Sequence, residues 1–228
     1  RLREDLLAQV RASAARTLPP GDVEARVAEL EVLIAGSNFT GLALDALDHH
    51  YFQPARAAIE TQFGGQPLVE ARLLQTLAST MEKLGLLDPA TEPQRTALDI
   101  RRRELGEGHT DTIASIHAMG RLLLAQGELA EAELHLRGAL EGYRRASGDD
   151  HPSALAALGD LGVLLKIKGD FAGAELCCRE ALDRQLRVLG EEHPDTLTSL
   201  NNMGALLQAQ GRPAEAEPLF LRVLEAYR

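Results

Sequence analysis

The sequence predicts an all-α fold, an array of repeated helix pairs, and three observations carry that prediction. Ala and Leu, both strong helix formers, supply most of an apolar content of 45%. Aromatic residues make up 4% and Trp is absent, whereas a β-sandwich or barrel draws on more Val, Ile, Thr and aromatic side chains. The third observation is a period of 42 residues, strong over residues 109–228 and weaker over 67–108.

Residues 1–66 do not show the period. Arg1 to Thr17 reads as an amphipathic helix, broken by Pro19, Pro20 and Gly21. Asp22 caps a second helix to about Ala35, and Gly36 to Asn38 breaks it. Thr40 to Tyr51 and Ala55 to Phe63 give two short helices around Pro54. Four helices in antiparallel succession make this segment an N-terminal extension of the array. Residues 67–108 form a degenerate first repeat. Gly85, Ala90, Ala97, Leu98 and Gly106 keep register there, but Pro67 replaces the His and Ala78 the mid-helix Gly of later copies. Pro89 and Pro93 are expected to shorten or delay its second helix.

The next repeats, 109–150, 151–192 and 193–228, share nine identical columns, among them His109/His151/His193, Gly120/Gly162/Gly204 and Gly127/Gly169/Gly211. Pro152 and Pro194 suit the first helical position, which makes the preceding His the N-cap or its neighbour. Helix A then runs about four turns to Gly127, Gly169 or Gly211, a residue that tolerates the left-handed C′ conformation. A glycine inside a helix costs about 1 kcal/mol relative to Ala. Its recurrence at 120, 162 and 204 therefore marks a column where the partner helix comes too close for a side chain. Helix B follows, with Leu136, Cys178 and Phe220 in its apolar column, so Cys178 reads as core filler. The last repeat ends inside helix B, truncated or uncapped, and leaves an apolar end able to self-associate.

Net charge and cysteines narrow the function. A formal charge of -10 repels phosphate backbones, so no nucleic-acid partner is expected. No stretch approaches the roughly 20 apolar residues of a membrane span, and the N-terminus lacks a secretory pattern. The two cysteines, Cys177 and Cys178, are adjacent; they make neither a disulfide framework nor a zinc motif and suit a reducing, cytoplasmic setting. Arg1 stands where a Met would start a full chain, so a fragment or processed form is expected.

The stretch LGEEHPDTLTSLNNMGALLQAQGRPAEAEPLFLRVLEAYR resembles the 42-residue tetratricopeptide repeats of kinesin light chains and their bacterial relatives. The likeness rests on the LGxxHPDT entry, the NNxG centre, the QG turn and the EAExLFxR second helix. It implies a right-handed superhelical solenoid of antiparallel helix pairs, helix A lining the concave side, and a scaffold that binds a peptide or helix of a partner protein. The segment ALDALDHHYFQPARAAIETQFGGQPLVEARLLQTLASTMEKLGL resembles the lead-in to repeats that follow bacterial serine/threonine kinase domains. That likeness implies the alternative of a regulatory or oligomerisation segment of a larger enzyme. The chain itself carries no Gly-rich phosphate loop, HRD or DFG motif.

Catalytic and metal candidates are weak. With successive repeats on the order of 20 Å apart, two helix diameters, His109, His151 and His193 cannot share a metal. His49 and His50 are adjacent, with no carboxylate or Cys at ligand spacing. Ser199, His193 and Asp195 lie in one helical start, where near neighbours do not face each other. No catalytic residue, metal or cofactor is assigned. The groove-facing stripe of helix A is the better candidate: Thr198, Asn201, Asn202, Ala205 and Gln208 in the last repeat, with Ala156, Asp160, Val163 and Lys166 before it. The same columns give His117, Arg121 and Leu124 further upstream, then Arg72, Gln75, Ser79 and Glu82. This stripe is polar and slightly cationic in an acidic chain. The resemblance assigns Asn201 and Asn202 to hydrogen bonds with the backbone of an extended peptide.

Overall fold

The computed structural model describes residues 39–227 and, before them, residues 11, 19, 22–24, 27 and 28. Most of each of the expected helices over 1–17 and 22–35 lies outside the described residues. The chain divides into two compact units, Arg1–Tyr51 and Phe52–Arg228. In the first, Val23 and Val27 are buried, and Arg11 pairs with Glu24 at 3.1 Å on the surface. In chain order come helix α1 (Phe39–Leu47), a π-helical turn (Asp48–Phe52) and helix α2 (Gln53–Phe63). Pro54 sits in the first turn of α2, after Phe52, whose backbone is itself helical.

Four helix pairs follow: α3 (Pro67–Lys83) with α4 (Leu87–Leu105), α5 (Thr110–Gln126) with α6 (Leu129–Ser147), α7 (Pro152–Ile167) with α8 (Phe171–Val188), and α9 (Pro194–Ala209) with α10 (Pro213–Ala226). The described residues form helices and turns without strands, and the pairs stack as a right-handed superhelical solenoid. Each helix packs on its neighbours in sequence, and α7 also touches α5 and α9, so the first helices of successive pairs lie side by side.

The turns are set by glycines 21 residues apart. Gly85, Gly106, Gly127, Gly148, Gly169, Gly190 and Gly211 all take φ between 76° and 92°, a region costly for any residue with a Cβ. Those that end the first helix of a pair build Schellman turns. After α5, for example, Gly127 N–H donates to Leu124 C=O and Glu128 N–H to Leu123 C=O.

The recurrent His is the N-cap. His109, His151 and His193 each accept on Nδ1 a hydrogen bond from the backbone N–H two residues on, at 3.1, 3.2 and 3.1 Å. Each thereby satisfies one of the orphan donors of its helix start.

The mid-helix glycines sit at close approaches. A Cβ on Gly162 would lie 2.5 Å from Cys178 Sγ, one on Gly204 would lie 2.7 Å from the Phe220 ring, and one on Gly120 would lie 3.0 Å from Leu136. Nearby, Ala90, Ala132, Ala174 and Ala216 are fully buried where the paired helices cross. From Leu98 to Ala216 the buried apolar residues join into one continuous core.

Two expectations are corrected. Helix α4 runs 19 residues, as long as α6, despite Pro89 and Pro93. Pro89 falls in the first turn, where no N–H bond is due, so the helix forgoes a single hydrogen bond at Pro93, which packs in the interior. Successive repeats also sit closer than 20 Å, since a side chain of α5 bonds directly to one of α7 (His117 to Asp160, 2.8 Å). Each cap histidine is held through Nδ1 at its own helix start.

Candidate functional site

The first helix of each pair turns its apolar side to its partner and leaves a polar stripe on the far side. Between α3 and α5, floored by α4, that stripe borders an open groove of about 780 Å³. Arg72, Gln75 and Glu82 of α3, Gln94 and Arg101 of α4, and Arg121 of α5 are among its lining residues.

The sequence-predicted residues of neighbouring pairs meet in a charge network. His117 Nε2 lies 2.8 Å from Asp160 Oδ2, and the imidazole stands edge-on to Tyr143 with ring centroids 5.9 Å apart. Arg121 reaches Glu82 at 3.5 Å and Asp160 at 3.9 Å. These contacts tie α3, α5 and α7 together and commit the charge of Arg121 between two carboxylates.

The remaining predicted residues take different positions. Arg72 is exposed on the groove wall and forms no ion pair among the described residues. Lys166, half-buried in the last turn of α7, forms none either. Thr198 donates its hydroxyl to Pro194 C=O at 2.9 Å, so it is spent on its own helix. Asn201 and Gln208 are exposed and Asn202 half-buried on α9, away from the α3–α5 groove, and their side-chain amides make no hydrogen bond among the described residues.

Sequence reasoning missed the groove floor. Arg101 is 8% exposed and its Nη1 donates to Gln75 Oε1, Ser115 Oγ and, at 3.5 Å, Asp111 C=O. Burial pulls its pKa below the ordinary guanidinium value; the nearby Asp111 carboxylate opposes the effect without forming an ion pair. Gln94, 3% exposed, donates to Ser115 C=O at 3.1 Å. The signal was in the columns: the 42-residue register puts Leu136, Cys178 and Phe220 at the Gln94 position, and Tyr143, Gln185 and Tyr227 at that of Arg101.

Other candidate chemistry is structural. His49 and His50 stand edge-on in the π turn with centroids 5.1 Å apart, and the described residues hold no group of three His, Cys, Asp or Glu able to take a metal. His193 is occupied as a cap while Ser199 is buried. Burial pushes the Cys178 thiol up to about 11 and raises that of Cys177. Among the described residues no helix is long and apolar enough to cross a membrane.

Comparison with known proteins agrees with this architecture. The tetratricopeptide repeat family matches residues 69–145, 112–183 and 165–228. No curated protein matches the chain. Its fold is similar to that of BtubC (BKLC) from P. vanneervenii, with 20% identity and a TM-score of 0.65 over 97% of this chain and 91% of that one. It is also similar to a putative kinesin light chain with nearly identical TPR-like repeats from Podosopora anserina, with 22% identity and a TM-score of 0.53 over 78% and 93%. MamA shares 17% identity and a TM-score of 0.51 over 80% and 92%. With matches that together span residues 69–228, this chain belongs to the tetratricopeptide repeat family.

Proposed function

We propose that the chain is a non-catalytic interaction scaffold that binds an extended peptide of a partner protein along the concave stripe of its first helices. The observation that carries this reading is the uncommitted polar wall. Arg72, Asn201, Asn202 and Gln208 keep side-chain donors and acceptors that nothing in the described chain satisfies. An extended peptide needs just such partners, because its backbone presents both N–H and C=O groups, and a side-chain amide answers both. An open groove of about 780 Å³ also falls in the size range of built ligand sites.

Panning a phage-displayed random peptide library on the immobilised protein tests the reading. Enriched peptides are expected to lose binding to the triple variant Arg72→Ala, Arg121→Ala, Asn201→Ala, whose helical circular dichroism stays intact. Peptides that bind the triple variant undiminished, or a library that yields none, overturn it.

A further inference from the structure

Arg101 is the one buried cation of the α3–α5 groove, and its surroundings are incomplete. Among the described residues, the hydrogen bonds of its guanidinium all leave from Nη1 and end on neutral oxygens: an amide, a hydroxyl and a backbone carbonyl. Nε–H and the two Nη2–H donors have no partner among the described residues, yet neither nitrogen is sealed among the buried unpartnered atoms. Arg101 lines the groove, and its Nε–Nη2 edge is the part of the guanidinium left free to meet a ligand there. It is the fork of a guanidinium that matches a carboxylate bidentately.

The fold does not need an arginine here. Tyr143 and Gln185 occupy the same column in the next two pairs, equally buried and uncharged. Retaining a largely desolvated charge opposite neutral acceptors opposes folding, so stability does not account for it. The groove's electrostatics point the same way. Arg72, Lys83 and Arg101 face it beside the Arg121–Glu82 ion pair, with Asp111 as the further carboxylate, in a chain whose net charge is -10.

We propose that the α3–α5 groove takes the carboxylate of an Asp or Glu side chain from the bound peptide, held by the Nε–Nη2 edge of Arg101. The proposal rests on the groove reading above and adds the chemistry of its ligand. Gln75 and Ser115 fix the opposite edge of the guanidinium, so the fork is oriented before the ligand arrives.

The experiment uses peptides selected from the library on the wild-type chain, measured by fluorescence anisotropy against wild type, Arg101→Gln and Arg101→Lys. Arg101→Gln copies the residue of the third pair and is expected to fold, with its thermal melt as the check. Expected is enrichment of Asp or Glu at one peptide position. Changing that residue to its amide weakens wild-type binding about tenfold to a hundredfold, the range for a charge-assisted pair. Arg101→Gln binds the acid and amide peptides alike, and Arg101→Lys, which lacks the fork, recovers part of the preference. Peptides that lose binding to the triple variant but show no acidic preference leave the groove reading standing and overturn this proposal. An acidic preference unchanged in Arg101→Gln overturns it too. Failure to select any peptide removes both readings.

Discussion

Helix α7 contains two buried glycines for which the structure predicts opposite responses to a methyl group. A Cβ on Gly159 meets a single atom, Ser199 Oγ at 3.9 Å, which is ordinary contact. Gly159→Ala should therefore stabilise by about 0.5–1 kcal/mol, the helix-propensity gain alone. A Cβ on Gly162 lies 2.5 Å from Cys178 Sγ, with Ala174 O and Cys177 Cβ both at 3.4 Å. Overpacking of this kind costs about 1–3 kcal/mol, which outweighs the same propensity gain. Gly162→Ala should come out destabilised by about 1–2 kcal/mol, since Cys178 is 3% exposed and its sulfur has little room to swing. Thermal unfolding followed at 222 nm resolves the two, because a domain of this size shifts about 2–4 °C per kcal/mol. The decisive variant adds Cys178→Ala. With the sulfur gone, Gly162→Ala should become neutral or stabilising, and the double-mutant cycle should return a coupling of about 1–3 kcal/mol. Equal signs at 159 and 162, or no coupling with Cys178, would refute the argument that close helix approach selects the glycine.

Three further outcomes follow from the same structure. His193→Ala should lower stability by about 1 kcal/mol through loss of the cap on α9, while His193→Asn, which offers an oxygen to the same N–H, should restore most of it in urea titration. Glu133 is held below the usual carboxylate range by Lys168 and then Arg137, and Glu175 by Gln210 and then Arg212, so both groups stabilise the charged folded form. Because these pKa values are depressed on folding, the advantage of wild type over a Glu133→Gln, Glu175→Gln variant should be full above about pH 5 and shrink as pH falls through the carboxylate range, read as the difference in melting temperature. Cys178 should resist alkylation by iodoacetamide in the native chain and react on unfolding, because burial keeps its thiol protonated; rapid native labelling at pH 8 would contradict its place in the core.

Much of the fold was legible because its determinants are local and repeated. A His before a helix start caps that helix whatever lies elsewhere, and a glycine at positive φ ends a turn by its own backbone sterics. The Gly120, Gly162 and Gly204 column could be read as a close approach because three copies pay the same helix penalty. Pro93 misled for the converse reason: its local penalty is real, but packing in the interior outweighs one absent hydrogen bond. The polar stripe of helix A is legible from its spacing, whereas its charge balance is not. Whether Arg121 is a free cation depends on Glu82 and Asp160, 39 residues away in either direction and on different helices.

Sequence alone thus determined the period, the caps, the turns and which face of each helix is apolar, since these follow from propensity and spacing within a few residues. Tertiary structure decided how near successive pairs stand, which charges cancel, and that a helix-B residue, Arg101, reaches the floor between two first helices with one edge unpartnered among the described residues. Those outcomes depend on the distance between side chains that the 42-residue period separates in the chain and stacking brings together, a distance that no local pattern encodes.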